Sequence, residues 1–317
     1  MIRALFRRLG SFAVVLAGVS FLTYGLVFLT PGDPASTILR EQRQSPPSSA
    51  ATEAFRAEHG LDEPFVTQYV SWLTDAVRGD LGTSYARSEP VASLLVEYLP
   101  NTLELALAAI GISLLLAVPT GVVSAVYHDT WIDRTGQLVA TLGVSMPNFW
   151  LGYLLILVCS LWLGLTPVSG AGTIGHLVLP AITLGTATAA VLTRLVRASM
   201  LEALEAEYVD TARSKGVRER VVVTKHALRN ALVPVLALVG LQFGFVLNGA
   251  VVVEVVFQRP GLGTLLVDAV FARDVPVIQG VVLVTATAFV SINQLVDLAS
   301  LALDPRLEPT SIGGGAR

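Results

Sequence analysis

The chain has 317 residues, of which 53% are hydrophobic and only 14% are charged, whereas an average soluble domain has about 25% charged residues. Its net charge of −3 provides no basic surface for nucleic acid, and its single cysteine, Cys159, excludes an intrachain disulfide framework and a cysteine-based metal site. The four histidines never fall at an i, i+4 spacing and give no metal motif. This composition favours a chain whose main solvent is lipid.

Six apolar segments have the length needed to cross a bilayer, which takes about 20 mostly apolar residues. The first follows three arginines but is longer than the ~7–15-residue apolar core of a cleavable signal sequence, so we expect it to stay as an uncleaved span. The third is long enough to tilt or to include an interfacial turn. The predicted transmembrane helices cover residues 9–29, 103–126, 137–163, 177–196, 232–255 and 280–303.

The positive charges predict the orientation of these spans, because cytoplasmic segments are enriched in Lys and Arg. Placing the N-terminus in the cytoplasm puts most of the 21 Lys and Arg residues inside, including those of the connection between spans four and five. Six spans then leave both termini cytoplasmic. The predicted segments are the N-terminus with the first helix (1–32), an external region (33–101), a five-helix core (102–303) with a cytoplasmic loop (197–231), and a C-terminal tail (304–317).

The two longer external segments have their own predicted structure. The first is irregular around Pro46 and Pro47, and Pro64 then opens an amphipathic helix that Gly79–Gly82 ends. It is interpreted either as a helical cap on the spans or as a docking surface for an external partner. In the second, Pro260–Gly263 forms a turn before a short interfacial or re-entrant helix.

Catalytic motifs are missing from the sequence. A phosphate-binding loop needs a lysine directly after glycine, and neither of the two lysines, Lys215 and Lys225, has that position. The chain also contains no G-x-S-x-G and no H-E-x-x-H sequence. These observations exclude ATP hydrolysis through a Walker A loop and give no support to a hydrolase.

The connection between spans four and five carries the most specific pattern. Residues 204–216 predict a short helix, because Glu205, Tyr208 and Ala212 share one face at i, i+3 and i+7. Gly216 suits the residue that ends such a helix. A second helical stretch then leads into span five. On composition alone, a basic loop that binds lipid headgroups is the alternative.

The residues of this connection resemble a known family. Glu207–Val217 and His226–Pro234 are similar to the "EAA" coupling loop of ABC importer permeases, in the dipeptide, oligopeptide and nickel branch. Here Asp210–Ala212 replaces the generic E-A-A, a departure that this branch itself shows. Further motifs of the branch occur in the same order at Phe28–Pro34, His59–Pro64, Gly79–Gly82, Gly249–Glu254, Pro260–Gly263 and Leu303–Arg306.

The resemblance implies an all-α integral membrane protein with six transmembrane helices, similar to type I ABC importer permeases, and a small external helical region after the first span. The long external insertion resembles the first, B-type, permease subunit. The chain would lie in the inner or plasma membrane and form half of a translocation pathway. Its implied partners are a second homologous permease, two cytoplasmic ABC ATPase subunits that use ATP and Mg, and an extracytoplasmic solute-binding protein.

The same resemblance implies that this chain is not an enzyme and binds no cofactor or metal itself. Small peptides are the favoured cargo, and nickel or another metal chelate is the alternative within the family. A self-contained secondary transporter is the rival outside it, and would need ion-binding carboxylates near the bilayer midplane and inverted repeats.

Candidate functional residues follow from the resemblance and from polar or small residues in apolar spans. For ATPase coupling they are Glu207, Tyr208, Asp210, Thr211, Ala212, Lys215 and Gly216. For anchoring the loop they are His226, Arg229, Asn230 and Pro234. For the pathway or a helix interface they are Gly240, Gly244, Asn248, Glu254, Asn293 and Asp297.

Overall fold

A computed structural model describes the backbone of residues 2–29, 33–43 and 46–303. The secondary structure assigned in these ranges is helical, apart from one isolated bridge between Thr83 and Pro90. The α-helices are α1 (Ile2–Leu29), α2 (Pro34–Arg43), α3 (Ser49–Glu58), α4 (Phe65–Val77), α5 (Val91–Val126), α6 (Trp131–Ser145), α7 (Asn148–Leu155), α8 (Ile174–Leu204), α9 (Glu207–Ser214), α10 (Glu219–Val221), α11 (Leu228–Val256), α12 (Leu262–Ala272) and α13 (Val275–Leu303). Two π-helical segments follow α7 and α10, and are π1 (Ile156–Trp162) and π2 (Val222–Ala227).

Four helical segments of the described chain are long and apolar enough to cross a membrane. They contain α5, α8, α11 and α13, and α6 with α7 and π1 gives a fifth span if that bent pair crosses as one. In α1 the apolar stretch among the described side chains, Phe12–Leu26, is shorter. The all-α membrane fold is confirmed, and each predicted span except the third falls on a single α-helix, while a sixth crossing by α1 stays a prediction.

The third predicted span, 137–163, is not one continuous helix. α6 ends at Ser145, and the chain bends by 102° before the helix resumes at Asn148. Met146 and Pro147 between them have extended backbone angles, because the proline ring disfavours helical geometry at the preceding residue. The segment is therefore a broken span or a re-entrant loop rather than a tilted helix.

The described residues divide into two compact units. The second unit, 103–258 with residues from 291 onward, contains α8 packed against α6 and α11. Its apolar core includes Leu192, Val196 and Met200 of α8, all at 0% exposure. Glycine permits close helix packing here, since a Cβ built on Gly185 of α8 would lie 2.7 Å from the Ala109 carbonyl oxygen of α5. Helices gain little from the hydrophobic effect when they associate in lipid, so close van der Waals packing of this kind helps to hold them together.

The first unit, 1–102 and 259–290, contains the segments predicted to be external. The predicted amphipathic helix is present as α4, with Pro64 as its N-cap, and it ends at Arg78 before Gly79 at φ +90°. Its aromatic face packs on α1: Tyr69 is buried, and its hydroxyl lies 3.0 Å from the Ser20 hydroxyl. The turn before α12 is also confirmed, since Gly261 is the N-cap of that helix.

Two helices of this unit, α2 and α3, went unpredicted. Irregular chain was predicted around Pro46 and Pro47, and residues 46–48 are indeed non-helical. Ser48 then caps α3 by accepting a hydrogen bond from the Ala51 N–H at 3.2 Å. Asp33 accepts hydrogen bonds from the Ala35 and Ser36 N–H groups at the start of α2 and also pairs with Arg56 of α3, so the two helices are held together by a polar contact.

We predict that Gly185→Ala destabilises the protein, because the added methyl group collides with the backbone of α5. The matched control is Gly111→Ala on α5, where nothing lies within 4 Å of the added Cβ. That control should leave stability unchanged or raise it, by up to about 1 kcal/mol, since alanine favours helix over glycine. Thermal unfolding of both variants in detergent micelles tests this, and equal melting temperatures would contradict the close contact.

Candidate functional site

The loop between α8 and α11, residues 205–227, begins with a sharp change of direction. α8 ends at Leu204, and Glu205 is its C-cap, with its N–H bonded to the carbonyls of Leu201 and Ala203. Ala206 is extended (φ −76°, ψ 142°) and starts α9. The predicted helix over 204–216 is thus shorter, and Glu205 belongs to the end of α8 rather than to the face of α9 that it was predicted to share.

One face of α9 is buried against the helices that flank it. Val209 is 0% exposed and Ala212 is 7% exposed. They belong to an apolar cluster with residues from α8, π2 and α11, including Met200, Ala203, Val222, Val223, Ala227, Ala231 and Val235. The small side chain of Ala212 permits this close approach, so α9 is fixed to the membrane helices by contacts along one side.

The opposite face of α9 is open to solvent. Glu207, Asp210 and Thr211 are exposed on that face. Tyr208, one turn before the buried Ala212, lies at its edge and is 40% exposed. Two carboxylates and a phenol ring thus stand on a short helix whose other face is packed. An exposed aromatic side chain beside charges, on a rigid element, is typical of a protein contact surface.

The end of α9 is fixed by an ion pair and a left-handed turn. The Arg213 guanidinium donates to both Glu219 carboxylate oxygens, at 3.2 and 2.8 Å, and this partner holds the pKa of Arg213 above its usual value. Lys215 is the C-cap, and Gly216 has φ +76°. The prediction that Gly216 ends this helix is confirmed, since glycine adopts that region without steric cost.

The four residues predicted to anchor the loop lie on π2 and the start of α11. His226 is half-buried, while Arg229, Asn230 and Pro234 are exposed. The buried contacts of this stretch are made by their apolar neighbours Val222, Val223 and Ala227. An anchoring role for the four predicted residues therefore stays a prediction. The π-helical geometry of π2 was not predicted, and such segments are frequent at functional sites.

A buried ion pair lies close to the loop along α8. Arg197 donates to both oxygens of Asp133, each at 2.7 Å, and Asp133 is 4% exposed. The pair joins the first turn of α6 to α8 seven residues before that helix ends. Bidentate geometry of this kind fixes both position and orientation of the two helices.

Asp133 also lies in a group that satisfies the distance test for a metal site. Ligand atoms of His128, Asp129 and Asp133 lie within 4.8 Å of one another. The Arg197 guanidinium occupies both oxygens of Asp133, and its positive charge opposes a second cation there. This arrangement gives no reason to revise the expectation of no metal site.

The pathway or interface candidates have very different surroundings. Asn248 is exposed, Gly244 and Asn293 are half-buried, and Gly240 is buried. The side chain of Asp297 lies outside the described residues. Glu254, a candidate for the pathway or a helix interface, has a side chain that is 0% exposed within this chain, so it faces the protein interior. Its place near the end of an apolar span gave no signal for this burial.

Long apolar helices, with a short, half-exposed helix inserted between two of them, indicate an integral membrane protein. The chain belongs to the family of binding-protein-dependent transport system inner membrane components. The profile of that family matches residues 117–309, and the profile of its N-terminal region matches residues 1–106. The chain is therefore a permease subunit of an ABC importer, and not an enzyme.

Several characterised relatives match over almost the whole chain. It is 44% identical to the glutathione transport system permease protein GsiC of Pectobacterium atrosepticum, over 97% of this chain and 99% of that protein. It is 41% identical to GsiC of Escherichia coli K12 over the same shares. A chain from inward-facing structures of the MetNI methionine ABC transporter matches with a TM-score of 0.60 at 19% identity, over 68% of this chain and 99% of that one. That likeness supports the fold alone.

We predict that Arg197→Ala lowers stability by about 3 kcal/mol, because it leaves the Asp133 carboxylate buried without its cation. Arg194→Ala is the control, since Arg194 is exposed one turn earlier on the same helix. Thermal unfolding of the two variants measures the difference. An unchanged melting temperature for Arg197→Ala would show that the pair does not hold α6 to α8.

Proposed function

We propose that α9 is the coupling element of this permease, and that it docks through its exposed face onto a cytoplasmic ABC ATPase subunit. The observation that carries this proposal is the division of α9 into two faces. Val209 and Ala212 are packed into the apolar cluster, while Glu207, Tyr208 and Asp210 are free to contact another protein. A force applied to the exposed face is transmitted to α8 and α11 through the buried one.

The complete importer then contains, besides this chain, a second homologous permease, two ATPase subunits and an extracytoplasmic solute-binding protein. ATP and Mg are used by the ATPase subunits and not by this chain. Both termini lie in the cytoplasm, because that orientation places the basic 205–227 loop inside. The permease has two states, and both ATP-driven closure of the ATPase pair on one side and cargo on the other shift the equilibrium between them.

Small peptides are the proposed cargo. The support is the identity of 41–44% to permeases named for glutathione transport, since glutathione is itself a tripeptide. Chelates of nickel or another metal are the second candidate, favoured by the resemblance of the loop to that branch of the family. Selection between them rests largely with the solute-binding protein.

The test is ATP hydrolysis by the assembled complex in lipid vesicles, with and without loaded solute-binding protein. We expect Glu207→Arg to remove most of the stimulation by loaded protein, because a reversed charge on the exposed face of α9 disrupts docking. Arg134→Glu is the charge-reversal control, since Arg134 is exposed on α6, away from α9 and from the external region. Size-exclusion chromatography checks the assembly of both variants. The control should keep all subunits, and Glu207→Arg should lose at most the ATPase subunits.

The proposal fails if Glu207→Arg keeps full stimulation and full transport. It also fails if the purified chain alone moves solute across the vesicle membrane, because the secondary-transporter rival then explains the protein without an ATPase.

A further inference from the structure

The first unit contains a cavity that the coupling function does not use. Its volume is about 250 Å³, and it is lined by α1, α4, the turn before α4 and the start of α13. Only Val275 and Pro276 contribute aliphatic side chains to its wall. A cavity of this size holds one or two amino-acid residues, and its polar lining indicates a polar ligand.

The charged side chains that line this cavity are acidic. Glu63 and Asp75 line it, and neither Lys nor Arg does. Asp75 has a neighbour in Arg78, at 3.7 Å, but both side chains are more than half exposed, and such pairs are weak. The cavity therefore favours a cation with several donor hydrogens.

His59 adds a further acceptor. Its Nδ1 lies 3.0 Å from the Phe55 carbonyl oxygen, which can only accept, so Nδ1 carries the hydrogen. In the neutral ring Nε2 is then an acceptor. The ring is fixed by stacking on Phe55, with centroids 4.1 Å apart.

Aromatic faces complete the wall. Tyr24, Trp72 and Tyr85 line the cavity, and ring faces attract an ammonium group through their quadrupole. Burial raises the pKa of the Tyr85 phenol, so this ring stays neutral at physiological pH. Carboxylates together with neutral aromatic faces form a well-known type of ammonium site.

Trp72 lines the cavity, but its indole Nε1 is buried and makes no hydrogen bond to a described residue. It therefore contributes its ring to the wall and not a donor that a ligand reaches.

We propose that this cavity binds the amino terminus of a peptide, with the ammonium group held by the Glu63 and Asp75 carboxylates. The proposal rests on peptides being the cargo, and assigns the permease its own contact with the free end of that cargo. An ethanolamine lipid headgroup offers a similar ammonium group, but the lining supplies only Val275 and Pro276 as aliphatic side chains for its acyl chains.

The test is isothermal titration of the full-length chain in phosphatidylglycerol nanodiscs with alanyl-alanine and with N-acetyl-alanyl-alanine. We expect the free dipeptide to bind and the acetylated one to bind at least 10-fold more weakly, since acetylation removes the charge. The double variant Glu63→Gln with Asp75→Asn should weaken binding of the free dipeptide by a similar factor. Glu58→Gln, an exposed residue at the end of α3 that does not line the cavity, should leave it unchanged.

Three results would overturn the proposal: no binding of alanyl-alanine, equal binding of the two dipeptides, or unchanged binding by the double variant. Loss of dipeptide binding on adding phosphatidylethanolamine to the discs would also overturn it, since the cavity would then belong to lipid. Transport by the assembled complex is a separate measurement. If transport persists without dipeptide binding to this chain, the cavity assignment fails while the permease function stands.

Discussion

The rest of this account depends on the packing of Val209 and Ala212, the two buried residues of α9. Both residues sit on a helix of eight residues, which is too short to be stable alone in water. Their packing against α8, π2 and α11 holds α9 in place, and leaves its other face for a partner. Without this contact α9 would be a loose loop, and a force on it would not reach the membrane helices.

Polar contacts and small residues position the helices that flank α9. Helices gain little hydrophobic stabilisation by associating within lipid, so specific contacts decide their arrangement. The Asp133–Arg197 pair joins α6 to α8, and Gly185 lets α8 approach α5 closely. α8 therefore carries contacts with α5, α6 and α11 before it leads into α9, which suits a helix that transmits motion.

The sequence was sufficient to predict the helical membrane fold, because backbone groups in lipid must be satisfied within helices and the apolar runs are long. It also predicted the end of α9, since Gly216 has a local reason to be there. The length of the third span was interpreted as room for a tilt or an interfacial turn, and the local signal for the break, Pro147, was not used. Local chemistry thus predicted the end of α9 but not every break in a helix.

Contacts between residues far apart in the chain could not be predicted from the sequence. Asp133 and Arg197 are 64 positions apart, and neither has a local pattern that predicts a partner. The burial of Glu254 and the cavity lined by Glu63, Asp75 and Trp72 likewise depend on which helices meet. The helix α3 was missed because its signal, Ser48 as a cap, follows two prolines that indicated irregular chain.

Chemical crosslinking of the assembled complex tests the central claim most directly. In a Cys159→Ser background, a cysteine is placed at Asp210 on the exposed face of α9 or at Ala212 on its buried face, and a short bifunctional reagent is added. The account predicts a permease–ATPase product from Asp210→Cys and none from Ala212→Cys. A product from neither position, or from the buried one alone, would contradict the assignment of α9 as the element that contacts the ATPase.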